Sequence, residues 1–349
     1  MQHPTCIAFH RANKLGDDVV ALKAFYATKI LYPHTKILVF TNTFGATLYS
    51  CAPFVDEIIN LDDDISFAQH TIDILIITHR TSHNIALAKR INAKKIIMQA
   101  HISNLLLPNF VKDFNFSIKS RLEGDNILRY VRKIDKKHFD THISMIDFSQ
   151  AKLQSTATSQ EFVKNFLQTH AIDSTATLIG INIFGSGKSP YNFSLQTWLE
   201  VIQTLANTYP NLTFVLTSQS KSPICTMQFA QPNIAVFIND DIINLIALTS
   251  HLAMLVSCDT GNIHIADNLG IPRVGLYAKH VLKRWSAITF TNNDNAHKFA
   301  SLCVQKNQNP DTLAPQFITL VREKLEQWLG IQCLLTSQIN SLNNIDLNQ

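Results

Sequence analysis

No apolar run in this 349-residue chain approaches the roughly 18 residues that a membrane-crossing helix needs. The N-terminus, Met1-Gln2-His3-Pro4-Thr5, has no basic segment ahead of its short apolar strand, so it does not read as a secretory signal. Cys-x-x-Cys pairs are missing too. The six cysteines are scattered and read as buried thiols of a reducing compartment. Charge is sparse, at 16% of residues, and a formal net charge of +4 is too small to imply a nucleic-acid partner. These absences argue against a membrane-spanning protein, a disulfide scaffold and a nucleic-acid binder, and predict a cytoplasmic protein.

What the chain has is a rhythm. Cys6 to Phe9, Ile37 to Phe40, Ile74 to Thr78 and Lys95 to Met98 are short, uninterrupted apolar runs, as expected of strands buried on both faces. Asp18 to Ile30 and His83 to Arg90 read as helices between them. From His101 to about Thr158 the rhythm breaks down and Phe interleaves with basic residues. Between Lys112 and Lys137 eight basic residues stand against four acidic ones, which suits either a solvated helix face or attraction to anionic lipid or a phosphorylated glycan. The rhythm resumes with strands at Leu178 to Phe184, Leu212 to Thr217, Ile234 to Ile238 and Ala253 to Val256. Helices are expected at Ser194 to Thr208, Asp241 to Ser250 and Asp311 to Leu329. This is α/β patterning repeated twice. It predicts a domain over residues 1–170, a second over 171–330, a polar tail at 331–349, and a linker near Gln154 to Gln160.

The most informative run is Ser257-Cys258-Asp259-Thr260-Gly261-Asn262-Ile263-His264-Ile265-Ala266-Asp267-Asn268-Leu269-Gly270-Ile271-Pro272-Arg273-Val274. A strand feeds a short helix through Asp-Thr-Gly, Leu269-Gly270 closes the helix, and a new strand follows Pro272. The N–H groups and dipole at such a helix start favour an anion such as a diphosphate. The run resembles the signature of glycosyltransferase family 9, the bacterial heptosyltransferases of lipopolysaccharide assembly. That pattern is Asp-(Thr/Ser)-Gly-x-x-His-x-Ala, then Gly-x-Pro. The resemblance implies a GT-B fold, two Rossmann-like domains facing across a cleft, with Asp259, Thr260, Gly261 and His264 holding a nucleotide-sugar donor. Without the resemblance, Asp259 reads as a helix cap and His264 as an interior histidine.

A second run, Arg11-Ala12-Asn13-Lys14-Leu15-Gly16-Asp17-Asp18-Val19-Val20, resembles the family's N-terminal motif. By that likeness Asp17 is the general base, taking the acceptor hydroxyl's proton in a single inverting displacement, and Arg11 and Lys14 contact acceptor or phosphates. Two adjacent Asp residues also suit a helix cap, and Asp18 stands where the family has an apolar residue. In Phe184-Gly185-Ser186-Gly187-Lys188-Ser189-Pro190, the family places a small-residue loop and a cation, which implies Ser186 and Lys188 as donor contacts. Gly187-Lys188-Ser189 is no Walker A loop, since Asn182 stands where the first Gly is required. After the last strand, Ala278-Lys279-His280 replaces the family's Gly-Pro-(Thr/Ser).

No metal is required by this reading. Asp62-Asp63-Asp64 reads as a surface turn, and the His79/His83 and His138/His142 spacings as chance among 14 histidines. Expected partners are ADP-heptose or a related nucleotide sugar and a lipid-anchored glycan acceptor, the inner core of lipopolysaccharide or lipooligosaccharide, met at the inner face of the inner membrane. Other readings on the same scaffold are a nucleotide-sugar epimerase or hydrolase and a non-catalytic sugar-nucleotide binder.

Overall fold

Among the described residues twelve strands lie in two parallel sheets of six, each wound in the same order. The computed structural model describes residues 4–63, 70–79, 81–100, 109–113, 121–185, 189–227, 229–290 and 298–331. In the first sheet, β1 (Cys6–His10), β2 (Lys36–Thr41), β3 (Glu57–Asn60), β4 (Ile74–Ile77), β5 (Lys95–Gln99) and β6 (Phe110–Asp113) take the order 3-2-1-4-5-6. In the second, β7 (Leu178–Asn182), β8 (Thr213–Ser218), β9 (Ile234–Ile238), β10 (Met254–Cys258), β11 (Arg273–Ala278) and β12 (Phe299–Val304) repeat that order. Connections are helical: α1 (Leu15–Leu31), α2 (Thr43–Tyr49), α3 (Ser82–Ile91), α4 (Glu123–Arg132) and α5 (Lys136–His142) precede α6 (Ala157–Thr169). Then come α7 (Leu195–Thr208), α8 (Ile242–Ser250), α9 (Gly261–Leu269), α10 (Lys279–Trp285) and α11 (Ala314–Leu329).

Central strands are buried along their whole length, which is why their sequences are continuous apolar runs. Strand order reverses between β1 and β4 in one sheet and between β7 and β10 in the other. Ligands of open parallel sheets bind beyond the carboxyl ends of the strands at such points. These are the places where β1 runs into α1 and β10 into α9.

The first unit comprises residues Met1–Gln154 and Lys283–Asn292; the second, Ser155–Leu282 and Asn293–Gln349. The division falls inside the expected linker but before residue 171, because α6 packs with the second unit. Phe162 and Phe166 set their rings edge-on to Phe237 of β9, at 5.8 and 4.9 Å. His251 at the end of α8 meets Gln160 at 2.7 Å. The return of Lys283–Asn292 to the first unit is anchored by Arg284, whose Nε donates to Glu123 at 2.7 Å.

Three cations of the basic segment are paired with carboxylates. Arg129 and Lys133 both reach Asp113, at 3.1 and 3.6 Å, and Arg132 pairs with Asp140. Arg121, Lys136 and Lys137 are exposed, and Lys119 lies outside the described residues. Among the described residues no helix is long and apolar enough to cross a membrane.

Candidate active site

In the first unit the site is built on Arg11, the first residue past β1. Its side chain is fully buried. One guanidinium nitrogen donates to Thr78 Oγ1 at the end of β4, at 2.8 Å, and so spans the switch point. The other donates to the Asp17 carbonyl at 2.6 Å and lies 3.6 Å from its carboxylate. Nε stands 3.5 Å from Asp18. Arg11 therefore ties the sheet to the first turn of α1.

The two aspartates separate clearly. Neither is the helix cap. Lys14 holds that position, is exposed, and makes no side-chain capping bond. Asp18 is fully buried, accepts from the Asn13 N–H at 3.4 Å, and is held by Arg11. Burial pushes its pKa up to about 6 against the pull of Arg11. Asp17 keeps 23% of its side chain exposed. Burial raises its pKa, Arg11 opposes that, and Glu123 adds to it. Asp17 is thus the carboxylate offered to solvent, and Asp18 the one spent on structure.

In the second unit the turn after β10 carries Asp259 and Thr260. Thr260 caps α9, accepting from the Asn262 N–H at 3.3 Å. Gly270, at φ 77°, ends the helix in the left-handed region that glycine takes without a Cβ penalty. Beneath the turn lies a polar lattice that the sequence did not advertise. Asn182, the last residue of β7, donates to Thr260 Oγ1 at 2.9 Å across the switch point and accepts from Thr217 at 3.1 Å. The loop after β7 comes alongside: a Cβ on Gly185 would stand 3.5 Å from Thr260 Cγ2. Asn192 braces that loop, donating to the Ile183 carbonyl at 2.9 Å and accepting from the Trp198 indole at 3.0 Å. Ser186 and Lys188 fall outside the described residues.

Asp259 reaches solvent beside Thr260 and Gly261, and desolvation moves its pKa up to about 6. His264 does not join them at the surface. It is 2% exposed, and burial together with Arg273 lowers its pKa to about 4. His264 is held as a neutral imidazole under the first turns of α9. Neutral burial has a sign: the unfolded chain takes up a proton near pH 6.5, the folded chain only near 4. Stability from this group is complete above 6.5 and falls as pH drops through that window. Wild type should lose about 2 kcal/mol relative to His264→Asn between pH 7 and pH 5, read from urea midpoints of both proteins.

His138 and His142 bond backbone carbonyls, Nε2 of the first to Leu31 at 3.0 Å and Nδ1 of the second to His138 at 2.8 Å. Among the described residues no group of three or more His, Cys, Asp or Glu is placed to hold a metal ion.

The sequence model of "Glycosyltransferase family 9 (heptosyltransferase)" matches residues 119–314, more than half of the chain and nearly all of the second site. The chain belongs to glycosyltransferase family 9. No protein of curated function matches it in sequence. Among solved structures, a glycosyltransferase family 9 protein from Veillonella parvula superposes with TM-score 0.75 at 15% identity, covering 94% of this chain and 99% of that one. E. coli ADP-heptose lipopolysaccharide heptosyltransferase II gives 0.71 at 13%, covering 93% and 99%. E. coli heptosyltransferase WaaC with ADP gives 0.65 at 13%, covering 91% and 99%. At these identities the likeness shows the fold: the family 9 chain has the two-unit α/β architecture of GT-B glycosyltransferases.

Proposed function

We propose that this family 9 protein is an inverting glycosyltransferase. It moves a heptose, or a related sugar, from ADP-heptose to the inner core of a lipid-anchored lipopolysaccharide or lipooligosaccharide. The observation that carries the reading is the family match over the turn where Thr260 caps α9 at a switch point. Two of the similar structures are a WaaC complex with ADP and one with ADP-2-deoxy-2-fluoro heptose, which supports an ADP-sugar donor.

In this reading the diphosphate lies against Thr260, Gly261 and the N–H groups of the first turn of α9, where the helix dipole favours negative charge. Asp259 accepts from donor hydroxyls. Ser186 and Lys188 supply a hydroxyl and a cation to the departing diphosphate in place of a metal. Asp17 takes the proton of the acceptor hydroxyl as its oxygen attacks the anomeric carbon opposite the diphosphate. The C–O bond to the diphosphate breaks, ADP leaves, and the configuration inverts in one step. Lys14 is the exposed cation nearest that base in sequence. The protein works at the cytoplasmic face of the inner membrane, where Arg121, Lys136 and Lys137 favour an anionic surface.

A thermal-shift panel of ADP, UDP, GDP and CDP tests the donor site. ADP at about 100 times its Kd should stabilise the wild type by about 2.7 kcal/mol, a shift of a few degrees. The other nucleotides should give less, and Thr260→Val should abolish the shift. Equal shifts in both proteins would move the nucleotide away from this turn.

A further inference from the structure

The departure Ala278-Lys279-His280 builds something of its own. β11 and β12 are parallel neighbours, with Ala278 opposite Val304, so the residues that follow them leave the sheet side by side. Lys279 and His280 come from one exit, Gln305 and Lys306 from the other. Together with Tyr191 they line a recess of about 430 Å³ within the second unit. That lies in the range of about 300–1,000 Å³ typical of small-molecule sites. Tyr191 sets its ring edge-on to His280, with centroids 5.1 Å apart.

Lys279 and Lys306 both line the recess with Tyr191, His280 and Gln305, and no Asp or Glu does. With no carboxylate in the lining to compete, an anion in the recess can draw on both lysines. Their point charges suit a phosphoryl group, and the polar tips of Tyr191, His280 and Gln305 suit a hydroxyl-bearing body attached to it. The loops that carry the lining are held: Gln305 N–H donates to Gln308 Oε1 at 2.9 Å, and the Ser194 N–H donates to Asp311 at 2.8 Å, tying the loop after β12 to the loop that carries Tyr191.

We infer that this recess is an anion subsite that takes the phosphoryl group of a phosphorylated sugar. It is separate from the diphosphate seat at Thr260 and goes beyond the donor reading without depending on it.

Calorimetric titration of the full chain with glucose 6-phosphate, inorganic phosphate and ADP tests this on three proteins: wild type, Lys279→Gln/Lys306→Gln and Thr260→Val. Both lysines are exposed, so the double variant keeps its fold. It should bind glucose 6-phosphate at least about 10-fold more weakly and ADP within about twofold of wild type. Thr260→Val should show the reverse. Undetectable binding of glucose 6-phosphate to wild type at millimolar concentration overturns the inference. So does ADP affinity falling in step in the double variant, which makes the recess part of the donor seat. Inorganic phosphate binding as tightly as the sugar phosphate overturns it as well, by leaving no role for the sugar. If no protein binds ADP but the glucose 6-phosphate result stands, the donor reading fails and this one holds.

Discussion

Asp17→Asn should lower turnover of ADP-heptose by about 10²–10⁴-fold, the contribution expected of one positioned general base. The isosteric amide keeps the shape of the first turn of α1 and leaves the Arg11 bond to the Asp17 carbonyl intact. ADP binding should therefore persist, and the loss should fall on kcat and not on KM. Asp18→Asn is the matched control. It removes a buried charge that faces Arg11 and the Asn13 N–H, so it should act on stability first. A variant at Asp17 that keeps more than about a tenth of its turnover would remove the base from the mechanism, as would a larger kcat loss at Asp18.

The same residue predicts a pH profile. A base must be ionised, so activity falls as pH drops through its folded-state pKa. Burial raises that pKa for Asp17, with Arg11 opposing. The acid limb of kcat/KM should then lie above the value near 4 of a free carboxylate. Removing the opposing charge, as in Arg11→Met, should move the limb to still higher pH. A limb unmoved in Arg11→Met would mean that a different group titrates.

The residues legible in the sequence were those under the simplest physical demand. Ile7, Ala8 and Phe9 of β1 and Leu255 and Val256 of β10 are covered on both faces, so burial alone dictates an apolar run. Ser194, Gly270 and Pro272 mark helix ends because a cap, a positive φ and a missing N–H are local requirements. The strands that escaped reading are β3, β6 and β12, all at sheet edges. Covered on fewer sides, they carry Glu57, Lys112 and Ser301 and show no continuous run. Helix α4 had a signal, with Glu123 and Asp125 in its first turn and Ile127, Leu128, Tyr130 and Val131 buried. Its basic residues drew attention instead, and only the fold shows Asp113 beside two of them. Asn182 fell inside the strand expected to run on to Phe184, whereas β7 ends at it. Its role depends on Thr217 and Thr260, which are 35 and 78 residues away. Such a lattice has no local pattern to read.

The signature run also hides an ion pair whose disruption should cost more than any single change near the surface. Asp267, on α9, and Arg273, at the start of β11, are each 1% exposed and paired with each other. Arg273 also donates to the Ile271 carbonyl at 3.0 Å and lies over the Phe299 ring, 5.9 Å from its centroid. The pair locks the helix that presents Thr260 to the strand beside it. Asp267→Ala strands a guanidinium in the interior and should cost about 3–5 kcal/mol, read as a fall in the urea midpoint at unchanged m. Arg273→Met should cost less, because the remaining carboxyl can neutralise itself by taking a proton, whereas a guanidinium cannot. The double variant Asp267→Leu/Arg273→Met should recover much of the loss, since two apolar side chains carry no desolvation penalty. If Asp267→Ala costs under about 1 kcal/mol, the pair is not the lock on α9. If the double variant is worse than Asp267→Ala, the site needs its charges for more than mutual neutralisation. In the first case the helix start at Thr260 draws its rigidity from the Asn182 lattice instead.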